Sequence, residues 1–300
     1  MSSLVVNCAV DCFHQDREQF FPFVLDRLPI DGTPTTSNQP PVYFMDGESI
    51  YNGHGIRVSR GKLHQGEEVL DVAVKFDFYK TRHADLVEEA TLYEKYAKAA
   101  QGTALPVFYG IYHATVRGRP VTCLALEYCG SPMETWLDDE SEEFCFKVAK
   151  LLMVLHSAGL QHNNIESSIV VKNGEPRLID LGTATPHTCE RTMDIVPNEL
   201  RPSLLKFGCR ELHDFASRQG IWEPTDIFYH GSTIPKQFVT SVDSLIAMTS
   251  PHLLETAEDR EKIYSEAREI LRRLGVTEGE AISRDVPKRG SRKSKLKGKK

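Results

Sequence analysis

The sequence lacks paired cysteines and long apolar runs, and each absence excludes a class of protein. Its seven cysteines include no C-x-x-C pair and are odd in number, so we expect neither a zinc ribbon nor a complete disulfide framework. A reducing compartment, cytoplasmic or nuclear, is therefore the expected location. No apolar run approaches the roughly 18 residues of a spanning helix, and the first residues do not resemble a secretory signal, so we expect no membrane span.

A net positive charge is confined to the C-terminal end. Residues 284–300 hold nine Lys or Arg and one Asp, which gives a local charge of +8. Because the net charge of the whole chain is −6, residues 1–283 carry a net charge of −14. The acidic body of the chain, residues 1–283, is expected to repel nucleic acid, whereas the basic tail, residues 284–300, is expected to attract it. We expect a disordered basic tail over 284–300 that makes nonspecific polyanion contacts or acts as a nuclear localisation signal. A solvated tail without any partner is an equally compatible interpretation.

The rest of the chain changes character near its middle. With 40% hydrophobic and 26% charged residues it has the composition of a folded protein. The pattern predicts an N-terminal extension over 1–42, with a short helix interrupted at Pro22, and a strand-rich part over 43–129. A helix-rich part follows over 130–283, with a hairpin at Asn173-Gly174 and a helix from Ser250 to Gly275.

A lysine and a glutamate are predicted to meet beside the strand-rich part. The alternation of residues 69–78 places Lys75 on the face opposite the apolar side chains. In the predicted helix over 84–100, Glu89 falls in the middle of an apolar sector. A carboxylate there is costly to bury unless a cation pairs with it, so we predict a Lys75–Glu89 ion pair. The alternative is that Glu89 lies at the edge of the sector and reaches water.

Five motifs in a fixed order resemble the protein-kinase-like superfamily, most closely the short kinase-like proteins numerous in fungi. They are GHG at 53–55, VAVK ending at Lys75, a strand leading into a hinge at 127–130, HNN at 162–164 and IDLG around Asp180. The resemblance implies a two-lobed α+β fold with ATP in the cleft. Its N-lobe, 43–129, would be strand-rich with one helix, and its C-lobe, 130–283, helical with an embedded hairpin.

The resemblance also implies roles for individual residues. Asp180 would hold Mg²⁺. The phosphates of the nucleotide would be approached by Gly53 and Gly55 and held by Lys75, paired with Glu89. Its adenine would contact backbone groups of Glu127 and Cys129, with Leu126 at the back of the pocket.

The same motifs depart from the family where the chemistry occurs. Asn164 stands where an aspartate accepts the substrate proton, and Ile169 stands where a second metal ligand is expected. We therefore predict a pseudokinase that acts through an unidentified protein partner and whose binding of ATP and Mg²⁺ is weak or lost. The alternatives are an active ATP-dependent phosphotransferase, on a protein or small-molecule substrate, and a nucleic-acid binder that uses the tail.

Two smaller features have competing interpretations. Glu166 is a candidate displaced base, against the alternative of a solvated loop acid. His187 and Cys189 form a single His-x-Cys pair without a second pair, so we interpret them as packing residues and not as metal ligands.

Overall fold

The structure is a computed structural model that describes residues 3–7, 22–30 and 40–276. The chain divides into two compact units, Met1–Glu223 and Pro224–Lys300. The predicted basic tail, 284–300, lies outside the described residues.

The first unit contains a closed barrel of seven strands. Around the barrel the strands follow the order β1-β2-β6-β7-β5-β4-β3, and the parallel pairing of β1 with β3 closes the sheet, whereas every other neighbouring pair is antiparallel. The strands are β1 (Leu4–Asn7), β2 (Phe23–Arg27), β3 (Val42–Gly53), β4 (Ile56–Gln65), β5 (Glu68–Asp77), β6 (Phe108–Val116) and β7 (Arg119–Glu127).

Period-two alternation fills the barrel interior. On β5, Val72, Val74 and Phe76 are fully buried, as the sequence pattern predicts. On β2, Leu25 is fully buried while its neighbour Val24 is 51% exposed. Inward side chains of this kind make a packed core of the barrel, and outward ones are free to contact other elements.

One helix crosses outside the barrel between β5 and β6. Helix α1 (His83–Lys95) confirms most of the predicted helix over 84–100, and a 3₁₀ turn over Ala97–Ala100 completes it. Leu86, Tyr93 and the strand residue Leu124 belong to one buried cluster, so α1 packs on the outer face of the sheet.

The remainder of the first unit combines short strands and helices. Asn173 and Gly174 both have positive φ between β10 and β11, which confirms the predicted hairpin. Ser141 caps α2, since its side chain accepts a hydrogen bond from the Phe144 amide. The elements are β8 (Ser131–Pro132), α2 (Glu142–Ser157), β9 (Leu160–Gln161), β10 (Ile169–Lys172), β11 (Glu175–Leu178), β12 (Thr185–Pro186), α3 (Leu204–Phe207) and α4 (Arg210–Arg218).

The second unit has its own buried cluster, which includes Tyr229, Leu245 and Ile270. It consists of β13 (Asp226–Tyr229), β14 (Ser232–Pro235), α5 (Val242–Ile246) and α6 (Ala257–Arg273). The helix predicted from Ser250 is divided into a 3₁₀ turn and α6, because Thr256 caps a new start. None of the described helices combines the length and apolarity needed to cross a bilayer.

The predicted two-lobed protein-kinase-like fold is wrong. Among the described residues the strands close into a seven-stranded barrel, and the six α-helices are mostly short, which is not the arrangement of a helical C-lobe. The reason lies in the segment predicted as an extension with an interrupted helix. It supplies β1, which pairs with β2 and β3, and β2, which pairs with β6, so the sheet has no open edge there.

Candidate functional site

Lys75 lies at the centre of a three-residue ion-pair network. Its Nζ is 2.8 Å and 2.9 Å from the two carboxylate oxygens of Glu89 and 2.9 Å from Oδ1 of Asp180. The predicted Lys75–Glu89 pair is confirmed. The network also brings Asp180 to the same point, although 105 positions separate it from Lys75.

The strand register explains why Lys75 faces away from the barrel core. Lys75 is opposite Val58 on β4 and Leu124 on β7, and all three project from the outer face. Glu89 reaches it from α1 and is itself only 3% exposed. The Leu181 amide donates to Glu89 Oε1 at 3.3 Å and fixes the carboxylate from the other side.

Asp180 differs from Glu89 in exposure and in backbone conformation. Its side chain is 51% exposed, and its φ of 63° lies in the left-handed region before a 3₁₀ turn over Leu181–Thr183. Non-glycine residues occupy that region at a cost of about 1–2 kcal/mol, and such strain occurs most often at functional sites. The Asp180 carboxylate thus lies on the solvent-exposed side of the network.

Burial and mutual attraction shift the pKa values of all three groups. Burial alone would lower the pKa of Lys75, but attraction to Glu89 and Asp180 outweighs it and raises that pKa. Burial would raise the pKa of Asp180, but the Lys75 ammonium outweighs it and lowers that pKa. Burial raises the pKa of Glu89 despite the lysine. Together they form a fixed cation between a buried and a half-exposed carboxylate.

The predicted adenine-binding residues lie at the end of β7, the strand that pairs with β5, and directly after it. Leu126 is opposite Ala73 and is 3% exposed, on the outer face that also carries Lys75. Glu127 ends β7, and its carboxylate accepts from the Val107 amide at 3.1 Å. Burial raises the pKa of the Cys129 thiol to about 12, so it is not a reactive thiolate. Their predicted roles towards adenine stay predictions.

The connection after Cys129 depends on a glycine. Gly130 has φ of 126°, and a Cβ there would lie 2.1 Å from the Val171 carbonyl oxygen. Because β8 pairs with β10 directly after this residue, the close approach ties the end of the barrel to the hairpin.

The two glycines predicted to approach phosphate lie in a tight turn. Gly53 ends β3, and His54 and Gly55 both have positive φ, as in a two-residue hairpin. A Cβ on Gly55 would be 3.0 Å from the Thr81 hydroxyl, so the turn lies close to the start of α1. The predicted contact of these glycines with phosphate stays a prediction.

The HNN loop is held by backbone and side-chain hydrogen bonds. The Ser167 hydroxyl donates to Asn164 Oδ1 at 2.9 Å, and His162 Nε2 is 3.1 Å from the Ile179 carbonyl oxygen. Glu166 forms an exposed ion pair with Arg218 at 2.8 Å, so its charge is already engaged. Ile169 is buried in β10 and offers no ligand atom.

A second cluster of polar side chains was missed by the sequence analysis. One ligand atom from each of His156, His187, Cys189 and Cys209 lies within 4.8 Å of all the others. The only sequence signal was the His187-x-Cys189 pair, and the two remaining members are 31 residues before and 20 residues after it. Burial raises the pKa of the Cys209 thiol to about 11.

No protein-family model matches the chain, and no curated protein matches it. The predicted membership of the protein-kinase-like superfamily therefore has no support from relatives, and the closed barrel contradicts it.

Proposed function

We propose that the Lys75–Glu89–Asp180 network binds the phosphates of a nucleotide such as ATP together with Mg²⁺, and that the protein acts by binding and not by phosphoryl transfer. The observation that carries the proposal is the asymmetry of the network. Lys75 is anchored by a buried carboxylate on one side and faces a half-exposed carboxylate on the other.

A purely structural role does not require this arrangement. Burying an ion pair costs desolvation free energy, and apolar side chains of similar volume often stabilise a protein equally well or better. Here the buried partner fixes the position of an ammonium group that is 13% exposed. A positioned ammonium is a point charge suited to phosphate oxygens.

The hydrogen-bond capacity of Lys75 indicates how a phosphate would enter. An ammonium group has three donors. Two are directed to Glu89 and one to Asp180. Lys75 would therefore keep Glu89 and exchange Asp180 for a phosphate oxygen, which would free the Asp180 carboxylate for a cation.

The residues fit Mg²⁺ when the nucleotide supplies further ligands. Mg²⁺ is usually held by one or two carboxylates, water and substrate phosphates. Asp180 provides one carboxylate, while Glu89 is engaged by Lys75 and Ile169 has no ligand atom. Mg²⁺ would contribute charge neutralisation for the phosphates.

Apolar side chains lie on the same face of the sheet as Lys75, but they are buried. Leu124 and Leu126 project outwards from β7, beside the strand that carries Lys75. Both are buried, at 0% and 3% exposure, in the large apolar cluster that also includes residues of α1 and α2. They support the face that carries Lys75 and leave no open surface for a base, so a comparison of ATP with inorganic phosphate as ligands tests the choice of a nucleotide.

The loop residues favour binding without transfer. Asn164 is an amide that cannot accept a proton at neutral pH, and its oxygen already bonds to Ser167. The carboxylate of Glu166 is paired with Arg218. We therefore propose that nucleotide occupancy regulates contact with an unidentified protein partner.

Calorimetric titration with ATP, with and without Mg²⁺, tests the proposal. We expect Lys75→Met to weaken binding at least tenfold and Asp180→Asn to remove the effect of Mg²⁺. Lys147→Met is the matched control, because Lys147 forms a similar short ion pair with Glu175 elsewhere in the first unit. Unchanged affinity in Lys75→Met, or no binding by the wild-type chain, would contradict the nucleotide site.

Incubation with γ-labelled ATP tests the absence of transfer. We expect the wild-type protein to transfer no label to itself, to a generic protein substrate or to water. Transfer that disappears in Asp180→Ala would overturn the non-catalytic part of the proposal while leaving the binding part in place.

A further inference from the structure

We propose that His156, His187, Cys189 and Cys209 bind one zinc ion in a closed tetrahedral site. The site is separate from the Lys75 network and does not depend on nucleotide binding. Its four members come from the last turn of α2, the segment after β12 and the residue that precedes α4.

The separations between ligand atoms suit tetrahedral zinc. Cys209 Sγ is 3.5 Å from His156 Nδ1 and 3.9 Å from His187 Nε2. Bond lengths of about 2.3 Å to sulfur and about 2.0 Å to nitrogen place such a pair about 3.5 Å apart in a tetrahedron. These two pairs therefore need to contract by at most a few tenths of an ångström, and all four ligand atoms lie within 4.8 Å of one another.

A carboxylate orients one of the imidazole rings. His156 Nε2 is 2.6 Å from Glu211 Oε2, so the ring donates from Nε2 and leaves the Nδ1 lone pair towards Cys209. Metal-bound histidines nearly always donate their second ring nitrogen to such a partner. Glu211 also accepts from the backbone amides of His162 and Asn163, so its position is fixed independently of the cluster.

The backbone around the ligands is closely packed. The His187 amide donates to the Gly159 carbonyl at 2.8 Å, which holds this ligand against the end of α2. Gly208 has φ of 90°, and a Cβ there would lie 2.2 Å from the Glu190 carbonyl oxygen. The absence of a side chain at Gly208 thus lets the backbone directly after Cys189 pack close to the backbone before Cys209.

The ligand chemistry selects the metal and its role. Two sulfurs and two imidazole nitrogens in a tetrahedron are typical of zinc, and four protein ligands leave no open position for a substrate. The ion would therefore be structural. On binding, both thiols lose their protons to solvent and bond to the ion as thiolates, while the imidazoles bind as neutral rings.

Metal titration of the full-length chain tests the proposal. The protein is stripped with a chelator under reducing conditions, and separate samples are titrated with Zn²⁺ and with Co²⁺, which serves as a spectroscopic probe. We expect one equivalent of Zn²⁺ per chain, an intense visible d–d band of tetrahedral Co²⁺, and a thiolate-to-cobalt charge-transfer band. Zn²⁺ should displace the cobalt signal.

Variants separate this site from adventitious binding. Cys209→Ser and Cys189→Ser should each weaken Zn²⁺ binding at least tenfold and reduce the charge-transfer band, whereas Cys145→Ser, at another buried cysteine, should change neither. Glu211→Gln should lower affinity about 10–100-fold and keep the tetrahedral spectrum. His187→Gln gives a second test if a cysteine variant fails to fold, because His187 is only partly buried.

Three outcomes would overturn the proposal. The cobalt spectrum could stay that of the octahedral aqua ion in reduced protein. Cys209→Ser and Cys145→Ser could bind Zn²⁺ equally. Thiol titration could show Cys189 and Cys209 joined in a disulfide that persists under reducing conditions and excludes the metal.

Discussion

At the scale of single residues, the Lys75 network couples stability to the proposed binding. Glu89 is 3% exposed and depends on Lys75 for its counter-charge. Asp180 is half-exposed and can be hydrated when the contact breaks. Removal of the lysine therefore leaves Glu89 as a buried charge without a counter-charge, whereas water can solvate Asp180.

We expect Lys75→Met to lower the free energy of unfolding by about 3–5 kcal/mol, because a buried carboxylate is left without its cation. Adding Glu89→Leu should restore most of this loss, since two apolar side chains fill the volume of the pair. Urea unfolding of the two single variants and the double variant measures the coupling free energy.

One result of this double-mutant cycle would contradict the buried ion pair. If the losses of Lys75→Met and Glu89→Leu simply add, the pair contributes no coupling and Glu89 reaches water despite its buried position. The double variant also serves the nucleotide experiment, because it lacks the phosphate-binding charge in a chain of near-normal stability.

His162 makes stability depend on pH. Burial lowers its pKa, and its Nδ1 finds no hydrogen-bond partner in the part of the chain that the structure describes. The unfolded chain takes up this proton near pH 6.5, whereas the folded chain binds it only at lower pH. The stabilisation is therefore complete above pH 6.5 and is lost as the pH falls.

We expect the free energy of unfolding to decrease between pH 7 and pH 5.5, and to decrease less in His162→Gln. Each unit of pKa separation corresponds to about 1.4 kcal/mol. Urea unfolding at several pH values measures the slope. His113→Gln is the matched control: its pKa is also lowered by burial, but the ring is less buried, so a smaller change is expected. Equal slopes in wild type and His162→Gln would show that the buried Nδ1 has no such effect.

At the scale of elements, two short strands decide the architecture. β1 and β2 together contribute only nine residues, yet they join β3 to β6 and close the sheet. Their inward side chains are as buried as those of the long strands. The barrel should therefore depend on them.

We expect Leu25→Ala to cost about 2–5 kcal/mol, because Leu25 is fully buried inside the barrel. Val24→Ala, one position earlier on the same strand, should cost less than about 1 kcal/mol because its side chain is 51% exposed. Thermal or urea unfolding distinguishes the two. Similar small losses in both variants would mean that β2 does not close the barrel in solution.

The elements that the sequence predicted correctly have long or local signals. β5 shows its alternation over ten residues, and the Asn173-Gly174 turn requires only two adjacent residues of positive φ. The position of Glu89 followed from the helical phase of α1. Each of these signals lies within one element, so no long-range contact was needed to detect it.

The elements that the sequence missed depend on partners far away in the chain. β2 alternates over only five residues directly after Pro22, and its identity as a strand depends on pairing with β1 and β6. The order of kinase-like motifs contains no information on those pairings, so the fold that it predicts is wrong. Cys209 likewise joins His156 only through the packing of α4 against α2.

At the scale of the whole molecule, charge separates the tail from the rest. Residues 1–283 carry −14 and residues 284–300 carry +8. Polyanions are repelled by the former and attracted by the latter, and binding through phosphate contacts weakens steeply with salt. Any binding to nucleic acid should therefore belong to the tail alone.

We expect the full chain to bind random-sequence duplex DNA nonspecifically, with a Kd on the order of 10⁻⁵ M that rises with salt, and residues 1–283 to show no binding. Fluorescence anisotropy at several salt concentrations measures both, and replacing the tail lysines and arginines by glutamine provides a control of equal length.

Binding by 1–283 as strong as by the full chain would place the contact in the acidic body, against its charge. Absence of binding by the full chain at low salt would leave the tail without a polyanion partner. Because the proposed nucleotide and zinc sites both lie before residue 224, neither ATP affinity nor zinc content should change when the tail is removed.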